Sequence, residues 1–101
     1  MKTNTLPPYE VAQEPGGRPF LAFETAAGKF ARPWHAMRDI RLSPDDSSLV
    51  FEYADYSVEV TGAGLGALFD LATASRLKTV RVGESDGVTV AHVRPVGLSE
   101  D

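Results

Sequence analysis

The run Ser57-Val58-Glu59-Val60-Thr61-Gly62-Ala63-Gly64-Leu65-Gly66-Ala67 has the residue types and spacing most suggestive of chemistry. It reads as a strand passing through glycines into a helix. Glycines let a backbone come close to a bound group. The first turn of a helix presents N–H groups with no partner inside the helix, and these favour an anion. Thr61, Gly62, Gly64 and Gly66 are therefore the residues expected to hold a small anion or the phosphates of a nucleotide. Thr61 is also the expected helix cap.

Gly62, Gly64 and Ala67 resemble the G-x-G-x-x-[GA] fingerprint of dinucleotide-binding Rossmann folds. Glu84 stands 22 residues after Gly62, where that resemblance implies an acid for a ribose hydroxyl. Such a fold also needs further strand–helix repeats. Only 17 residues follow Glu84, and the 56 before Ser57 show no second helix pattern. The competing structural reading has Gly62 and Gly64 turning the chain from strand to helix, with Gly66 allowing close helix–sheet packing.

No other constellation points to catalysis. His35 and His92 are the only imidazoles, and neither has a second histidine at ligand spacing. Asp45, Asp46 and Ser47 lack the spacing of a calcium loop, and no serine lies in a G-x-S-x-G elbow. No catalytic residue, metal ligand or cofactor is assigned. Trp34, His35, Tyr53 and Tyr56 are the residues expected to line an interface or a pocket, because aromatic side chains are enriched there.

Composition narrows the partners. Ten basic residues face 14 acidic ones, for a formal net charge of −4. That balance argues against nucleic acid, which requires a surplus of Lys and Arg on one surface. The absence of cysteine removes disulfides, thiolate metal sites and cysteine nucleophiles. No apolar stretch approaches the ~18 residues of a membrane span. No apolar signal core follows Met1, so a soluble cytoplasmic protein is expected.

The elements that must position these residues are mostly strands. Ten valines against a single isoleucine favour sheet. Residues 20–25 and 29–34 read as a hairpin around Ala26-Ala27-Gly28, with Pro33 marking an edge. Ile40 and Leu42, then Leu49, Phe51 and Tyr53, then Tyr56, Val58 and Val60 alternate with polar neighbours. A tight turn at Ala54-Asp55 would pair Leu49 with Val60 and Phe51 with Val58. The preceding turn would set Leu42 by Leu49 and Ile40 by Phe51. Residues 61–76 read as the one helix, with Leu65, Leu68, Phe69, Leu71 and Ala72 on its apolar face. Val80 and Val82 are expected to form a final hairpin with residues 88–93 around the loop 83–87.

The expected fold is α+β, a strongly bent antiparallel sheet of six to seven short strands, as a roll or partly open barrel. One helix covers its apolar face, with five strands before it and two after. Residues 1–19 are expected to form a flexible arm, 20–96 a single domain and 97–101 a frayed tail. The expected role is a non-catalytic protein–protein interaction or self-association module. The alternative is a small-anion or nucleotide-binding domain built on Gly62–Gly66.

Overall fold

The computed structural model describes residues 7–12, 20–85 and 87–97. The chain runs β1 (Tyr9–Val11), β2 (Phe20–Thr25), β3 (Gly28–Pro33), a 3-10 turn (Trp34–Ala36), β4 (Met37–Leu42), β5 (Ser48–Tyr53), β6 (Tyr56–Ala63), α1 (Gly66–Thr73), β7 (Leu77–Val80), β8 (Gly83–Ser85) and β9 (Val88–Gly97). The described residues are thus mostly β with one helix, of the α+β class. No helix among the described residues is long and apolar enough to cross a membrane.

The alternating segment sets the register of one sheet. Leu42 faces Leu49 and Ile40 faces Phe51 between β4 and β5, while Phe51 faces Val58 and Leu49 faces Val60 between β5 and β6. Leu49, Phe51, Val58 and Val60 are completely buried, as a shared inner face requires.

One bent sheet is the first expectation to be corrected. The strands form two sheets, of order β1-β7-β2-β3 and β4-β5-β6-β9-β8. The 3-10 turn after Pro33 carries the chain from the edge of the first to the edge of the second. With one helix available, each sheet buries its apolar face against the other. Phe23 of β2 meets Phe51 of β5 edge to face at 5.4 Å, and stacks on Phe30 of β3 at 5.3 Å. Leu65, Leu68 and Ala72 join this core at one side, with Phe69 and Leu71 partly buried against it.

Two further differences come from pairing with strands distant in the chain. Thr61, Gly62 and Ala63 do not cap or begin the helix. They continue β6, paired with His92, Val90 and Thr89 of β9, so α1 starts at Gly66 with Leu65 in the cap position. Val80 does not pair with β9. It belongs to β7, which lies parallel to β2 (Phe23 beside Val80), while β9 takes Gly83–Ser85 as its hairpin partner. The helix is therefore preceded by six strands and followed by three.

Part of the segment expected as an arm forms β1, antiparallel to β7, with Tyr9 opposite Val80. Gly97, expected to open the tail, closes β9 opposite Tyr56. The rest of the expected arm (residues 1–6 and 13–19) and tail (98–101) lies outside the described residues.

An ion cluster holds β1 in place. The guanidinium of Arg81 is only 8 % exposed. It donates to both carboxylate oxygens of Glu24, each at 3.2 Å, to the Pro7 carbonyl at 2.8 Å, and to Glu10. Its own backbone N–H bonds the Pro8 carbonyl at 2.8 Å, and Ala12 N–H bonds the Arg76 carbonyl at 2.7 Å. A buried guanidinium is stable only with its charge and donors matched, and here Glu10, Glu24 and Pro7 match them. The Arg81 hydrogen bond holds the Glu10 carboxyl below its ordinary value of 4.5, and Lys78 adds to the effect.

Removing Arg81 leaves two carboxylates facing each other. Arg81→Met is expected to cost about 2 kcal/mol, below the roughly 3–5 of a fully buried pair, because both carboxylates keep contact with water. Because Glu10 is depressed, its contribution is present above its ordinary value of 4.5 and lost as pH falls through its lower folded value. Urea denaturation as a function of pH checks this. The wild type should lose stability on acidification in that window, and Arg81→Met should lose less.

Candidate functional site

The glycine turn is closely surrounded by its own chain. Gly62 lies against β9, where a Cβ would stand 1.9 Å from the Thr89 carbonyl oxygen. Gly64 has a φ of +67°, and a Cβ there would meet the Gly87 carbonyl oxygen at 2.2 Å. Both contacts are closer than any side chain tolerates, so these glycines serve the approach of the β8–β9 hairpin. At Gly66 the neighbour is an anion, the Asp46 carboxylate, with Oδ2 2.7 Å from a Cβ position. The same loop accepts Leu65 N–H on the Asp46 carbonyl at 3.0 Å and Gly62 N–H on the Ser47 carbonyl at 2.9 Å. Asp45 fixes that loop by accepting from the Ser47 and Ser43 hydroxyls at 2.7 and 2.8 Å. These bonds, with Ser47 first, lower the Asp45 pKa.

Thr61 is carried away from the turn. Its hydroxyl lies 3.3 Å from His92 Nδ1, next to the Glu59–Arg94 ion pair at 3.3 Å. These four side chains line a shallow depression of about 300 Å³ beside the β6–β9 pair.

The four residues expected at an interface do not form one site. Tyr53 and Tyr56 stack at 5.3 Å on either side of the Ala54-Asp55 turn, and Arg32 lies 4.8 Å over the Tyr56 ring. The hydroxyls of both tyrosines are buried without a hydrogen-bond partner. Burial pushes the Tyr53 hydroxyl up to about 12, with the Arg32 charge opposing the shift. His35 is exposed in the 3-10 turn.

Trp34 marks a different place. With Met37, Ile40, Phe69 and Ala72 it lines a groove of about 420 Å³ between β4 and α1, bordered by Arg38, Asp39, Thr73 and Ser75. The indole Nε1 is buried and has no hydrogen-bond partner. An apolar floor with a few polar groups on its rim is the usual make-up of a recognition groove.

β4 is also the outer strand of its sheet. The Ser43 N–H bonds the Ser48 carbonyl at 2.9 Å. By antiparallel alternation, Arg41 then turns its backbone groups towards β5, while Ile40 and Leu42 turn theirs outward. The Ile40 N–H accordingly has a side-chain partner, Asp39 Oδ1 at 3.0 Å. On the strand's exposed side, Arg41 pairs with Glu52 at 3.0 Å and more loosely with Asp39 at 3.8 Å. Arg38 is exposed and makes no ion pair among the described residues.

The other long edge is less open to pairing. β3 ends in Pro33, which has no N–H, and carries Lys29 near its other end. Both features blunt a sheet edge. The aromatic residue of the groove was visible in the sequence. Ile40 and Phe69 were read as core positions of sheet and helix, and their meeting with Trp34 in one groove was not legible, because the groove exists only once α1 returns beside β4.

No protein-family model matches this chain, and no curated protein or solved structure matches it either.

The close approach at Gly62 makes a sharp prediction. Gly62→Ala must push β6 and β9 apart and is expected to cost more than about 2 kcal/mol in urea denaturation. Added inorganic phosphate or ATP is expected to leave the melting temperature of the wild-type protein unchanged, since a carboxylate already stands at the helix start. A phosphate-dependent rise would restore the turn as an anion site.

Proposed function

We propose that this chain is a non-catalytic interaction module that docks an extended segment of protein along the outer edge of β4. In this reading the two sheets act as an open roll, joined at the 3-10 corner and open along β4. The observation that carries the reading is the groove itself. It brings together an outer strand with outward backbone groups at Ile40 and Leu42 and an apolar floor beside it. A docked strand would supply carbonyls and N–H groups to the edge and an apolar side chain to the floor, the mode known as strand addition. The alternative, an anion held at Gly62–Gly66, is less well supported, because the chain's own carbonyls and Asp46 stand against those glycines.

Trp34 is the only tryptophan, so its emission reports on the groove. The test is emission and light scattering across a thousand-fold range of protein concentration, together with random-peptide display on the immobilised protein. The expected result is a blue shift that follows association, or displayed peptides that produce the same shift. A strict monomer with constant emission and no enriched peptide overturns the reading.

A further inference from the structure

Resting on the reading just given, we infer that the segment accepted by β4 is β4 of a second copy, paired antiparallel about Ile40. The strand is complementary to itself in that register. Setting Ile40 opposite Ile40 of the partner places Asp39 opposite the partner's Arg41, and Arg41 opposite the partner's Asp39. Two reciprocal opposite-charge pairs then form on the exposed face, and a two-fold axis passes between the isoleucines.

The backbone phase fits the same register. Ile40 and Leu42 are the residues whose N–H and C=O groups face outward. An Ile40–Ile40 pair can therefore exchange both hydrogen bonds across the axis, and the regular pairing ends at Asp39, because β4 is bulged between Met37 and Asp39. The Asp39–Arg41 pairs fall at the non-hydrogen-bonded positions, where side chains stand closest. The one bond to be given up is Ile40 N–H to Asp39 Oδ1, a local bond at an exposed site, and an intermolecular backbone bond replaces it.

The charges favour the pairing. Arg41 already has Glu52 at 3.0 Å, and its contact with Asp39 at 3.8 Å is loose. Asp39 is thus free to turn to the partner's Arg41, and the unpaired Arg38 offsets the extra acid in each copy. Any other register that keeps the outward backbone phase loses this match. Moving the centre to Leu42 sets Arg41 opposite the partner's Ser43, and Asp39 opposite its Asp45.

The test is charge reversal with complementation. Asp39→Arg puts arginine opposite arginine at both pairs, and Arg41→Asp puts aspartate opposite aspartate. Both side chains are at least half exposed, so the fold should survive, which circular dichroism checks. Each variant alone should associate at least ~10-fold more weakly than the wild type. An equimolar mixture of the two should recover heterodimer at close to wild-type affinity, because every pair is then opposite in charge.

Single variants that associate like the wild type, or a mixture that fails to recover, overturn the register while leaving docking at the groove intact. A wild-type protein that stays monomeric but enriches displayed peptides also overturns the second copy and keeps the docking reading. A monomer that enriches nothing overturns both. If either variant unfolds, wild-type amide exchange decides. Slower exchange at Ile40 with rising concentration supports the pairing, and unchanged exchange overturns it.

Discussion

The structure depends on Phe51 meeting Phe23. With one eight-residue helix among its described residues and no cysteine, the chain must bury two sheet faces, and neither sheet can be stable with its apolar side in water. The edge-to-face contact between these rings is one place where the sheets touch, and β2 also approaches β9. Phe30 backs Phe23 from the adjoining strand, while Leu49, Val58 and Val60 surround Phe51. The helix then fills one side of this core, and by standing beside β4 it leaves a shallow, open groove along that sheet edge.

A second layer of constraint is polar. Arg81 sits at the end of β7, where a valine would match its neighbours Val80 and Val82, and gathers Glu10, Glu24 and the Pro7 carbonyl around one guanidinium. Matched donors and acceptors of this kind give a single arrangement where apolar contact alone would tolerate several. The loop around Asp45 and Asp46 acts similarly at the other sheet. Its serine hydroxyls, carbonyls and carboxylate pin the start of the helix.

What could be read from sequence was what repeats locally. The β4–β5–β6 register followed from alternation and short turns, and the apolar stripe of the helix from its spacing. β1 and β8 carry three residues each, too few for a period to show. The helix start was placed five residues early because Thr61, Gly62 and Ala63 owe their strand conformation to Thr89, Val90 and His92, which lie far along the chain. β7 owes its sheet to β2 for the same reason. At the candidate site, Trp34 stood out by type and the Asp39–Arg41 alternation was visible as surface charge. Their meeting in a groove depended on tertiary packing that no local pattern encodes. Arg81 could have been singled out as a lone cation between two valines.

The position of β7 between β1 and β2 bears on how the chain acquires its shape. The β4–β5–β6 meander can close as soon as it is synthesised, since its partners are near in sequence. The first strand has no such neighbour. Glu10 must wait for Arg81, 71 residues later, before its sheet exists. Contacts of that separation are made late, after the entropy of closing a long loop has been overcome. The end of the chain that emerges first is thus among the last to be secured, and until then the Leu21–Phe23 strand has its β7 side open to the solvent.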